Sequence, residues 1–252
     1  MSYEELKYDV AIANRVLSEI GLCTGPTMAV GHASLRDPND PTKFAIKGRG
    51  YEMDALARMR PEDMVVCDMD GNKVDGPPGV TQCFEVKMHS CIYRDYPNVK
   101  SVVHVHPRYT ILMTLNGVTL RPMANDGAIM VRKPIPMYHH NKLIQSDKDG
   151  TKVAALLGDG RTVLLEGHGI VTVGQSLQES VLGAYALENQ AQANWAAYCA
   201  FGPNYKSIPD EYFNEPREDL VDLPHFKESM KGVRPRVEGT WNYYVDVVKQ
   251  SL

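Results

Sequence analysis

The chain has 252 residues, 43% of them hydrophobic, with 27 Lys and Arg against 31 Asp and Glu for a net charge of -4. This length can bury a full core as one compact unit, and the charge balance gives no electrostatic reason to expect nucleic acid or an acidic membrane as a partner. No apolar run is long enough to span a bilayer and no basic-then-apolar start resembles a signal peptide, so a cytoplasmic location is expected.

Leu6, Val10, Ala13, Leu17 and Ile20 recur at steps of four and three, which predicts an amphipathic helix ending at Gly21. Met28 to Arg36 reads as a strand, Asp37 to Pro41 as a turn and Lys43 to Lys47 as the antiparallel partner, followed by Gly48-Arg49-Gly50 as a tight loop. Met64 to Asp68 and the Asp70-Gly71-Asn72 turn predict a second hairpin. Gly76-Pro77-Pro78-Gly79 then leads into a helix carrying Phe84, Met88, Cys91 and Ile92.

Ser101 to Val105 alternates as a buried strand does, with Val103 and Val105 on one face and His104 on the other. The same period puts His106 beside His104, and Pro107 suits the first turn of a following helix. A short helix, a loop-rich stretch around Pro134 and Pro136, and a helix near Lys152 to Leu157 come next. Two apolar strand-like runs then flank the Gly167-His168-Gly169 break. Ser176 to Glu179 is a capping-box signature opening the longest helical pattern, which runs to about Tyr198. Beyond Gly202, prolines 203, 209, 216, 224 and 235 predict an irregular extension, whose Trp241, Tyr243 and Tyr244 imply docking on its own subunit or a neighbour. The expected division is residues 1–202 as the main domain and 203–252 as this extension. The five cysteines are odd in number and lack metal-ligand spacing, so they read as reduced and mostly buried.

His104 and His106 on one rigid face can share a metal ion, and His168, with glycines on both sides, offers a third imidazole. Three neutral nitrogens with an open position suit zinc, and also manganese or iron. Spacing alone leaves open a structural or exposed pair. On its own residues, Glu85 reads as an ordinary helix-surface glutamate with a partner such as His89. Likewise His89 and His225 carry no argument beyond local hydrogen bonding.

The order of these features, a Gly-His-x-Ser strand, a Gly-rich loop, a helix with Glu85, a His-x-His strand and a Gly-His-Gly break, resembles the class II aldolase/adducin family from about Val10 to Tyr198. The resemblance implies a single α/β domain of α+β type, with a central, mainly antiparallel sheet between helical layers. It also implies a homotetramer with one divalent ion per subunit at subunit clefts, His104, His106 and His168 as metal ligands and Glu85 as the catalytic acid or base. In the unliganded enzyme Glu85 could instead fill a metal position.

Departures from the sugar-phosphate aldolase pattern bear on substrate. Gly31-His32-Ala33-Ser34, Lys47-Gly48-Arg49-Gly50 and Cys83-Phe84-Glu85 lack hydroxyls that would hold a phosphate at two of three places. The Gly-His-x-Ser-x-Arg form is similar to the branch of metal-dependent decarboxylases of hydroxylated aromatic or pyridine acids. A related branch contains non-haem iron oxygenases. Three enzymatic expectations follow: a carboxy-lyase on a small hydroxylated acid, an aldolase or epimerase on a sugar phosphate, and an oxygenase. An adducin-like binding role is a fourth reading. Arg49, or Lys47, would be a fork for a substrate carboxylate, the alternative being a solvated loop arginine. His32 would bond the substrate or manage a proton, or else be a satisfied structural group. The strand period puts Ser34 and Arg36 beside it as a polar substrate wall. His139, His140, Tyr243 and Tyr244 are further candidates, with ordinary loop or tail residues as the alternative.

Overall fold

A computed structural model describes residues 1–50, 52–214 and 235–250. The sheet contains β1 (His32–Arg36), β2 (Lys43–Arg49), β3 (Met64–Asp68), β4 (Lys73–Asp75), β5 (Thr81–Gln82), β6 (Ser101–Val105), β7 (Met137–Tyr138), β8 (Thr162–Leu165) and β9 (Gly169–Gly174). The order across it is β4-β3-β2-β1-β6-β9-β8-β7, with β5 on β2, and every pairing but β7–β8 is antiparallel. The described α-helices are α1 (Tyr3–Glu19), α2 (Val86–Asp95), α3 (Arg108–Leu115), α4 (Asp147–Leu157), α5 (Leu177–Phe201) and α6 (Pro235–Lys249), with five short 3-10 turns between elements.

Strand alternation decides the layers. Val102 faces a core that contains Met88, Ile92 and Val153 from α2 and α4. Val103 and Val105 face the opposite core of Val16, Leu17, Val181 and Leu187 from α1 and α5. His104 shares the Val102 side, and the register that pairs His32 with His104 puts those two rings side by side on it. The expected sheet between helical layers is therefore present.

Local departures have physical causes. Met28 is not in a strand, since its carbonyl accepts from Leu56 N at 2.9 Å; a short 3-10 turn precedes it and β1 begins only at His32. Gly48 and Arg49 are not a loop: they extend β2, because Gln82 and Thr81 of β5 supply backbone partners. Phe84 stands outside α2 and is exposed, while Met88, Cys91 and Ile92 are buried as the pattern requires. The helix expected near Lys152 starts earlier, at Asp147, where Ser146 Oγ accepts from Asp149 N at 3.3 Å. At α5 the capping box is half made. Ser176 Oγ accepts from Glu179 N at 3.2 Å, but Glu179 accepts from Gln175 N instead.

The extension is not irregular throughout. Its last part is α6, whose Val248 is buried and whose Trp241, Tyr244 and Val245 pack on the core shared with α1 and α5. The prolines precede this helix or stand at its first position, where a missing N–H costs nothing. Pro216, Pro224 and His225 lie outside the described residues. All five cysteines are free, and only Cys199 is exposed. No described helix is long and apolar enough to cross a membrane.

Candidate metal centre and its polar surround

Four side chains converge at the end of β6. His104 lies within the strand, His106 one residue past it, His168 in the turn from β8 to β9, and Glu85 at the N-terminus of α2. One ligand atom from each lies within 4.8 Å of every other. The β6–β9 pairing sets Val105 against Ile170 and so brings the β8–β9 turn alongside His106. The turn is tight, with His168 N donating to Leu165 O at 3.0 Å and Gly167 at φ 61°. Gly169 allows the closest approach: a Cβ there would stand 2.4 Å from Val105 O, 3.1 Å from His104 Cε1 and 3.2 Å from His106 Cδ2.

The donor set fits a divalent ion. His104 Nδ1–H donates to Ile170 O at 2.9 Å, which leaves the Nε2 lone pair pointing into the cluster. His106 Nε2 is 2.9 Å away, a separation that needs a proton or a cation between two nitrogens. His168 has both ring nitrogens buried without a hydrogen-bond partner among the described residues. Orphaned buried imidazole nitrogens beside two further imidazoles are explained by an ion that takes their lone pairs. Burial, with His104 and His168 adjacent, lowers His106 to about 3, so its ring is neutral and ready to ligate.

Glu85 does not cap its helix; Oε1 accepts from Ile144 N at 3.0 Å, and the carboxylate lies 3.4 Å from His104 Nε2, 3.6 Å from His168 Nε2 and 4.0 Å from His32 Nε2. Burial pushes this carboxyl up, but the adjacent His104, His168 and His32 outweigh it and hold Glu85 below the usual carboxylate range.

His32 belongs to this group in space. Gly31, at φ 103°, ends the preceding loop, and His32 then faces Glu85 with its ring 5.2 Å from that of His104. Behind it runs a buried chain: His32 Nδ1 to His89 Nε2 at 2.8 Å, His89 Nδ1 to Ser34 Oγ at 2.7 Å, and Ser34 Oγ to Tyr93 OH at 2.7 Å. Burial pushes His32 well down and His89 to about 3. Sequence reasoning gave His89 no role and passed over Tyr93. The available signal was the four-residue spacing of Glu85, His89 and Tyr93, a polar stripe on an apolar helix, opposite the alternating His32 and Ser34.

The remaining candidates are placed elsewhere. Ser34 has no exposed surface and is bonded inward, so it forms no substrate wall. Arg36, the last residue of β1, is consumed by backbone carbonyls, donating to those of Val99 at 2.9 Å, Pro41 at 2.8 Å and Tyr93 at 2.6 Å. Lys47 is fully buried, with Nζ 2.7 Å from Ala29 O and 2.5 Å from Asp54 Oδ1. Arg49 pairs with Asp54 at 2.7 Å and lies over the Phe84 ring at 4.7 Å, one residue from Glu85. His139 and His140 are exposed, one 3.4 Å from Glu166 and the other accepting from Lys142 N at 3.1 Å. Tyr243 is exposed and Tyr244 packs against the α1–α5 core, on the opposite side of the sheet from the cluster.

Residues 9–195 match the model of the class II aldolase and adducin N-terminal domain. This chain belongs to the class II aldolase and adducin family. Within it, the chain is 34% identical over 223 residues to a 3,4-dihydroxyphthalate decarboxylase from Rhodococcus jostii (strain RHA1), covering 85% of this chain and 87% of that protein. It is 27% identical over 165 residues to an L-fuculose phosphate aldolase from Methanococcus maripaludis, covering 66% of this chain and 84% of that protein. An aldolase II superfamily protein from Pseudomonas syringae superposes with a TM-score of 0.78 at 22% identity, covering 98% and 93% of the two chains, which shows the shared fold. The chain thus belongs to a family of class II aldolases and related proteins, and its Glu/His cluster is of a kind that could hold a divalent ion.

Proposed function

We propose that this chain is a divalent-metal-dependent carboxy-lyase acting on a hydroxylated aromatic carboxylic acid of the dihydroxyphthalate kind, with zinc or manganese as the ion and iron as the alternative. The observation that carries the reading is the buried Glu85, His104, His106 and His168 cluster in a chain 34% identical, over 85% of its length, to a decarboxylase. Further support comes from the β2 segment, where phosphate-binding hydroxyls would be needed. Lys47 is buried against Asp54 there, and Arg49 offers a guanidinium at the Phe84 side of the site.

His104, His106 and His168 would hold the ion, which when bound draws electron density from a chelated hydroxyl and its neighbouring carboxylate. Glu85 is ionised and takes the proton of the substrate hydroxyl. It returns that proton to the ring carbon bearing the carboxylate. The carbon–carboxylate bond then breaks, carbon dioxide leaves, the bond's electron pair restores the aromatic ring, and the product keeps the negative charge as a phenolate. His32 donates a hydrogen bond from Nε2 to the oxygen that gains charge, and Arg49 orients a second carboxylate.

Phe84, Leu115 and Leu143 are exposed apolar side chains next to Glu85, the β8–β9 turn and Ile144. They support an assembly, a homotetramer, in which a neighbouring subunit closes the site; light scattering of the purified protein tests it. The cytoplasm is the proposed location.

The deciding experiment is metal content of untagged protein by plasma mass spectrometry, followed by carbon dioxide release from 3,4-dihydroxyphthalate. Near-stoichiometric zinc or manganese with carbon dioxide release is expected. Bound metal with aldehyde-dependent cleavage of a sugar phosphate instead, or oxygen uptake with ferrous ion, would replace this reading; a metal-free, metal-indifferent protein would point to a binding role.

A further inference from the structure

The chain His32, His89, Ser34 and Tyr93 buries four polar groups between the sheet and α2, where apolar side chains of similar size would pack at lower cost. Such a row is costly unless every donor finds an acceptor, so its internal direction can be worked out. His32 Nε2 faces Glu85 Oε2 at 4.0 Å, beyond hydrogen-bond range but near enough that a carboxylate attracts an N–H and repels a lone pair, so the proton belongs on Nε2. His32 Nδ1 is then an acceptor, which makes His89 Nε2 the donor at 2.8 Å. His89 Nδ1 must accept in turn from Ser34 Oγ, and Ser34 Oγ from Tyr93 OH, both at 2.7 Å.

The opposite direction needs Tyr93 to donate onward to Lys100 O, which is 3.4 Å away. The alternative outlet from Ser34 to Val102 O is equally long. The internal contacts are the same in both directions and neither exit is short, so the charge of the Glu85 carboxylate facing His32 Nε2 selects the first.

We propose that His89, Ser34 and Tyr93 are positioning residues that fix the orientation and tautomer of His32, with its proton on Nε2 and aimed at the substrate side of Glu85. The row does not conduct protons through the protein. It ends at a fully buried phenol whose ionisation burial pushes up, so no proton can be drawn from that end without leaving a buried tyrosinate. Its effect is to make a neutral imidazole a one-way donor. With the proton on Nδ1 instead, His32 would present a lone pair to a carboxylate and to a substrate oxygen gaining charge, and would repel both.

The kinetic consequence rests on the carboxy-lyase reading; the tautomer does not. The test combines nitrogen-15 ring resonances of zinc-loaded protein with steady-state carbon dioxide release. Wild type is expected to show both His32 and His89 protonated on Nε2. His89→Leu removes the donor to His32 and is expected to lower kcat about 100-fold with KM little changed. His89→Gln, whose amide both donates and accepts, should recover most of that loss. Tyr93→Phe deletes only the distal hydroxyl and should cost kcat about tenfold while partly releasing the His32 tautomer. If His89→Leu does not fold, Tyr93→Phe and His89→Gln carry the kinetic arm.

His32 protonated on Nδ1 in wild type would overturn the proposal without touching the function. So would equal losses in the Gln and Leu variants, or an unchanged kcat in Tyr93→Phe. Absence of carbon dioxide release from wild type would overturn the function instead, and the resonances alone would then decide the tautomer.

Discussion

Gly169→Ala places one methyl group in the seam between β6 and β9. The new carbon would stand 2.4 Å from Val105 O, where ordinary contact begins near 3.4 Å, so the strands must part by about 1 Å at that point. The obstacle is backbone, with the His104 and His106 rings directly beyond it at 3.1 and 3.2 Å, so no flexible side chain can absorb the strain. Parting by this amount stretches the 2.9 Å bond from His104 Nδ1 to Ile170 O beyond hydrogen-bonding range and frees the ring to turn. Overpacking of this kind costs about 1–3 kcal/mol, and loss of the histidine's orienting bond adds about 1 kcal/mol. The expected result is metal-free protein destabilised by about 2–4 kcal/mol, with metal affinity weakened roughly 10- to 100-fold. Urea unfolding of chelator-treated protein reads the first, and calorimetric zinc titration the second. Gly183→Ala, in the interior of α5 with only Met130 Cε at 3.8 Å, is the control and should stabilise by up to about 1 kcal/mol. Wild-type stability and zinc affinity in Gly169→Ala would refute the close-approach account of the site.

His106→Ala should abolish both bound metal and turnover; undiminished metal content by mass spectrometry would remove His106 from the ligand set. Burial depresses His106 and His89 to about 3, below the 6.5 of the free side chain, so unfolding takes up protons as pH falls. Stability of the metal-free protein is therefore expected to be insensitive to these groups above pH 6.5 and to fall between 6.5 and 3, by about 1.4 kcal/mol per pH unit for each ring. Glu85, held below 4.5, adds a loss only below that pH; denaturation midpoints that stay flat from pH 7 to 5 would contradict the burial of these rings. Glu188 accepts from Tyr109 N, Thr110 N and Thr110 Oγ at the start of α3, directly after His106 and Pro107. Glu188→Ala should cost about 1–3 kcal/mol in thermal unfolding, and an unchanged midpoint would show those amides to be satisfied otherwise.

Local pattern made a large part of this protein legible. Steps of three and four predicted α1, and strict alternation set His104 apart from Val103 and Val105. The Gly-flanked His168 marked the third imidazole, because backbone period and glycine freedom are properties of a few neighbouring residues. The same alternation put His32, Ser34 and Arg36 on one face, and it was correct. What each residue does there was not legible, because one face of a strand passes several different neighbours.

Tertiary packing settled those neighbours. The β1–β6 register set His32 against His104, and α2 laid His89 and Tyr93 across Ser34, turning an expected substrate contact into an interior hydrogen bond. Partners more than fifty residues away consumed Arg36, and Asp54 drew Lys47 inward. The short β5 strand made an expected loop into the end of β2. The sequence by itself therefore determined which residue types stand at which periodic positions, and through them the imidazoles that could hold a metal ion. Only the folded arrangement decided which polar groups meet, because a buried donor or acceptor must be satisfied by whatever group the fold brings within about 3 Å.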